Sequence, residues 1–193
     1  MEYWVLKAAS LDGAIIDALP KGAPPGWQLS EGVRLGHKFP LGGRLAFSEH
    51  FPNRCKVYDF VQNTLGVLIV STRVKQEIEI LALENIEYLP ITLCDHHWKP
   101  LEENYFILNL LGSQDAINME ESTYELSPIT NTIANISNLV LQKDMLNSKA
   151  ELFRTRNMSE LILMTDQIYA AFINKQLTGF AAYPAEGYDD ILG

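Results

Sequence analysis

Two stretches of this sequence, residues 65–90 and 158–184, keep step with each other at an offset of 94 positions. Ser71 falls on Thr165, Val74 on Ile168, Ile78 on Phe172, Leu83 on Leu177 and Pro90 on Pro184, without a gap. In the first stretch the run Val67-Leu68-Ile69-Val70 has the unbroken apolar character of a strand covered on both faces. Ser71 follows where a hydroxyl can cap a helix, and Val74, Ile78 and Leu81 then share one helical face. Arg73 with Glu77 and Lys75 with Glu79 stand at i, i+4 on the outer side, and Asn85 is placed to close the helix before the strand "IEYLPITL". The second stretch repeats the plan as "LILM", the capping pair Thr165 and Asp166, Ile168 and Phe172 inward, Gly179 as a stop, and "FAAYP". Each stretch therefore predicts a strand-helix-strand unit, right-handed if its strands lie side by side in parallel. A true duplication and mere convenience of the unit both fit.

The remaining segments extend the sheet content. "MEYWVLKAAS" reads as a strand, and "NYFILNLLG", "ISNLVLQ" and "ELFRTR" supply further candidates, with strand preferred from Ile136 onward. Residues 20–43 hold four of the nine prolines and six of the twelve glycines, which excludes a long helix or a central strand there. That segment predicts an extended layer anchored by Trp27, or a functional loop. The expectation is a single α+β domain over residues 1–193: a mixed sheet core with two strand-helix-strand units and an irregular Pro/Gly-rich lead-in over 1–57.

Charge is uneven. Residues 1–66 carry six acids and seven Lys or Arg, whereas residues 76–125 carry eleven acids against Lys99 alone, within a chain of formal charge −9. A field of that sign disfavours nucleic acid and anionic membranes as partners and favours a cationic one, if the carboxylates gather on one exposed face. No apolar run reaches the length of a membrane span, the first residues lack the form of an export signal, and the two cysteines make no disulfide framework, so a cytoplasmic protein with reduced thiols is expected.

Reactive side chains are dense only in "LCDHHWKP". Cys94 with His96 and His97 could form a nucleophile pair or part of a zinc site, yet adjacent histidines diverge on an extended chain and no second half-motif completes four ligands. His37, His50 and Cys55 are the other candidates of that kind. Phosphate loops, nucleophile elbows and dinucleotide fingerprints do not occur. Neither a cofactor nor a metal is expected.

In order along the chain, "YDFVQNTLGVLIVSTRVKQEIE", "IEYLPITL", "NYFILNLLGSQDAINMEES", "ELFR" and "LILMTDQIYAAFINKQLTGFAAYP" resemble the eleventh numbered family of bacterial immunity proteins from polymorphic toxin systems. The shared marks are an Asp-Phe lead-in, a strand ending in Ser, a Pro-bearing strand, a block that opens on an aromatic-aliphatic run with Asn and continues through Asp to Ser, "LFR" and a closing "LTG". The resemblance runs over residues 58–184. It departs from the family where the middle block reads Asp115 to Asn118 instead of Asp to Asp, with Glu120 and Glu121 just beyond. The resemblance implies a non-enzymatic cytoplasmic protein that binds and silences a toxin, and the acidic window suits a toxin with a cationic active-site face. Asp95, Trp98, Glu102, Glu103, Glu120 and Glu121 are the candidate partner-binding residues. The alternatives are a binding module using residues 20–43 as a lid, and a small enzyme using Cys94, His96 and His97.

Overall fold

The computed structural model describes residues 1–147 and 150–190. In chain order the elements are β1 (Tyr3–Ala8), β2 (Ile15–Ile16), α1 (Gly26–Ser30), β3 (Gly43–Ala46), β4 (Phe60–Asn63), β5 (Leu68–Ser71), α2 (Thr72–Ile80), β6 (Ile86–Cys94) and β7 (Tyr105–Leu110). There follow β8 (Thr123–Leu126), β9 (Ile133–Asn138), β10 (Leu152–Arg154), β11 (Ile162–Thr165), α3 (Asp166–Asn174) and β12 (Phe180–Pro184). The architecture is mixed α+β. The first sheet runs β2-β4-β5-β7-β6-β3, the second β10-β11-β1-β12, and β8 with β9 forms a two-stranded ribbon.

The two units repeat in space. Within each, the flanking strands are not neighbours as the simple crossover would have them: an antiparallel strand lies between. In the first sheet β7 takes that place, with Phe106 set between Val70 of β5 and Pro90 of β6. In the second it is β1, with Trp4 set between Met164 of β11 and Pro184 of β12. Val70 and Met164, and Pro90 and Pro184, are the same 94 positions apart, and α2 and α3 begin and end at that offset too. The repeat thus extends to strand register, although its middle strand follows the first unit in the chain and precedes the second.

Alternation along the strands sorts three cores. Leu68 and Val70 point with Ile162 and Met164 into a shared core closed by Val74 and Ile78 of α2 and Ile168 and Phe172 of α3. Ile69 points the other way, onto a core over which the N-terminal third is laid through Leu29, Leu35 and Phe39. Leu163 faces the third core, covered by Ile133, Ile136 and Leu139 of the ribbon segment. Each sheet therefore has a helical side and a side roofed by less regular chain, which is how so short a sequence keeps both faces of its strands dry.

Several local expectations shift. Trp27 does not anchor the Pro/Gly-rich segment, being 60% exposed; the three apolar residues just named do. That segment is packed onto its sheet and not poised above it as a lid. Ser71 caps α2 by accepting from Val74 N (3.4 Å), but Thr165 makes no matching bond at α3. Both helices stop earlier than Asn85 and Gly179 suggest, at turns carrying the left-handed residues Ala82 and Gln176. On α2, Lys75 does pair with Glu79, whereas Arg73 turns to Asp59 and Glu77 to Lys175, because tertiary partners offer better geometry than the helix neighbour.

The motif residues meet at one point. Asp59 is buried, and its carboxylate accepts from Ser71 Oγ (2.8 Å), Arg73 Nη1 (2.8 Å), Thr178 N (2.9 Å) and Thr178 Oγ1 (2.9 Å). Gly179, at φ +81°, lies so close that a Cβ there would meet Phe60 O at 2.3 Å and Tyr58 Cβ at 2.5 Å. The Asp-Phe lead-in, the capping Ser and the "LTG" turn are thus one fastening between the two units, with both its charge and its glycine fixed by contact.

Candidate functional site

The connection from β6 to β7 is tied by Asp95. Its Oδ1 accepts from His97 N (2.8 Å) and Lys99 N (3.0 Å), its main chain brackets Trp98 N and Lys99 O, and these amides, the Lys99 one foremost, hold the carboxyl below its usual range. The turn forces Trp98 to φ 61°, unusual for a bulky residue, and leaves its indole 54% exposed. Arg44 of β3 reaches across to the Trp98 carbonyl and donates through Nε to Cys94 Sγ (3.3 Å). Together Asp17, Arg44, Glu49, His50, His96 and Trp98 border a hollow of about 250 Å³.

The Cys94 cluster is not assembled. Cys94 is buried beneath Arg44, whereas the His96 ring is engaged elsewhere, its Nε2 3.3 Å from the Phe51 carbonyl and its Nδ1 3.9 Å from Cys55 Sγ. The pair brought together is Cys55 with His96, from positions 41 apart; no spacing in the sequence signals it. Among the described residues no group of three His, Cys, Asp or Glu has the arrangement of a metal site.

The acidic window does not form one face. Asp95, Glu102 and Glu103 lie at one end of the β6–β7 hairpin and Glu84 beyond the other, separated by a nine-residue strand that spans roughly 30 Å. Glu87, near the Glu84 end, serves the fold: its carboxylate accepts from Leu35 N (2.8 Å), Gly36 N (2.9 Å) and Asn109 Nδ2 (2.9 Å), and although burial pushes its pKa up, these bonds bring it below the ordinary glutamate range. Glu103 accepts from Tyr105 OH (3.2 Å), Glu77 and Glu79 pair with lysines, and Asp115 pairs with Arg156 at 3.3 Å.

Glu120 and Glu121 belong elsewhere, at the foot of the ribbon over the second sheet. Their amides are held by Asn118 Oδ1 (3.1 and 3.3 Å), so at the position where the resemblance calls for Asp, an amide oxygen makes the turn without a charge. The carboxylates of Glu102, Glu120, Glu121 and Glu125 take part in no ion pair among the described residues. The six candidate binding residues thus divide between two surfaces.

A family model described as the immunity protein family, Imm11, matches residues 7–187. The chain belongs to the Imm11 immunity protein family. The match takes in the Pro/Gly-rich segment, which packs on the first sheet, as well as residues 58–184. No curated protein matches the chain.

Proposed function

We propose that this protein is a toxin-neutralising immunity protein that works in the cytoplasm by direct, non-enzymatic binding to a cognate toxin of a polymorphic toxin system. The match to the immunity family over residues 7–187 is the observation that carries the reading. The toxin face it covers is cationic on this reading: the acidic window is divided between surfaces, yet Glu102 on one and Glu120, Glu121 and Glu125 on another have no ion-pair partner among the described residues, in a chain of formal charge −9. Complementary charge would speed encounter and select the partner, while affinity would come from a few buried anchors. Asp95, Trp98, Glu102 and Glu103 form one candidate contact surface, with Trp98 as its aromatic anchor. Glu120 and Glu121 belong to a second.

The test is to look for a toxin domain encoded beside the gene and to co-express the two. Cells should survive with the protein and die without it, and the purified pair should co-elute. A correctly folded protein that neither binds nor protects refutes the proposal.

A further inference from the structure

The ribbon of β8 and β9 has two unlike edges. On the β9 side, Ile133 N donates to Asn157 O (2.9 Å), Leu139 N to Tyr188 O (3.0 Å), and Ile136 O accepts from Asp190 N (2.8 Å), so that edge is covered. On the β8 side, among the described residues, no strand, bridge or loop bonds the outward main chain of Thr123–Leu126. Three of the four β8 residues are exposed and none is buried. The turn beyond it is fixed and not loose: Ser127 Oγ accepts from Ile129 N and Thr130 N (3.3 Å each), and Ser127 N donates to Thr132 O (2.8 Å). It holds Ile129 92% and Leu126 46% exposed at the tip.

An open strand edge invites another strand, and proteins restrict which strand by charge. Here the charge has one sign. From Pro100 to Gln142 the sequence contains no Lys, Arg or His, while Glu120, Glu121 and Glu125 are exposed along β8 and its approach. A second copy of this edge is repelled; an extended segment carrying Lys or Arg is admitted. The Ser, Thr, Asn and Tyr side chains that make up most of residues 122–138 supply adaptable hydrogen bonds of the kind antibody paratopes use.

We propose that the free edge of β8 is the docking edge of this immunity protein, pairing strand to strand with a lysine- or arginine-bearing extended segment of the toxin, with Leu126 and Ile129 as apolar contacts. This rests on the immunity reading but is tested apart from it. The probe is an acetylated eight-residue peptide alternating Lys and Thr, with a Glu/Thr peptide as control, read by amide hydrogen exchange in the full chain. At low salt the Lys/Thr peptide should slow exchange of β8 amides several-fold, the control should not, and 1 M salt should abolish the effect. The triple variant E120Q/E121Q/E125Q, in which no carboxylate known to hold the fold is touched, should bind the Lys/Thr peptide at least fivefold more weakly and lose protection against the toxin. If the Lys/Thr peptide protects no amide of residues 123–126, or the triple variant binds it as well as the parent, the inference is overturned whatever the toxin experiment shows. If the peptide results hold and the parent protects against no toxin, the immunity reading fails and the edge remains a site for cationic strands.

Discussion

Exchanging Asp59 for Asn keeps the side chain's shape and removes its charge. Three donors, from Arg73, Thr178 N and Thr178 Oγ1, converge on Oδ2, and a neutral amide oxygen turned that way can still meet all of them. Hydrogen bonds to a charged group contribute about 1.5–3 kcal/mol and neutral ones about 0.5–1.5, so each bond loses about 1 kcal/mol. The Arg73 side chain is more than half exposed, so its share is screened, and the sum comes to about 2–3 kcal/mol. On the other side the new NH₂ faces Ser71 Oγ, which must reverse its role as donor. In a domain of this size 1 kcal/mol moves Tm by about 2–4 °C, giving a fall of about 4–12 °C for Asp59→Asn. Asp59→Ala strands every donor and should cost about 4–5 kcal/mol. Urea unfolding of both variants with an unchanged m-value measures the effect. An Asn variant within 1 °C of the parent would refute the idea that this carboxylate fastens the two units together.

Three further outcomes follow from the same coordinates. Gly179→Ala meets backbone at 2.3 Å and should destabilise by about 2 kcal/mol or more in thermal unfolding, whereas Gly22→Ala, also at positive φ but in open space, should cost about 1 kcal/mol. Cys55 is exposed and Cys94 buried beneath Arg44, so a disulfide reagent should titrate one thiol in the native protein and two in denaturant; two native thiols of equal rate would contradict the burial. Glu87 has a lowered pKa in the folded protein, so its contribution is present above the unfolded glutamate value and is lost as pH falls through the folded one. Glu87→Gln should therefore flatten the decline of Tm between about pH 5 and pH 3, and an unaltered slope in a pH series of melts would count against that assignment.

Most of the fold could be read from the letters where apolar periodicity was strong. Residues 67–81 and 161–174 announce their strands and helices because both faces of each strand and one face of each helix are buried. What escaped was everything settled at long range. Nothing in "MEYWVLK" says that its strand will lie between β11 and β12, more than 150 residues away, and nothing near Trp27 says that smaller neighbours will take the buried places. The acidic window was legible as composition but not as a surface, since a long strand carries Glu87 and Asp95 to different ends and Glu87 is spent on holding Leu35 and Gly36. The division of the candidate residues between two surfaces depends on where β8 and β9 are laid, and nothing in the segment from Glu103 to Glu120 gives a sign of it.

The place of β1 sets the order in which this protein can be finished. Its strand is made more than 150 residues before either of its neighbours, while β4 to β7 can pair as soon as they emerge. A nascent chain would thus complete one half and carry an apolar strand unmated until β11 and β12 are made, so any delay before them exposes Val5 and Leu6 to aggregation, or to whatever chaperone reaches them first.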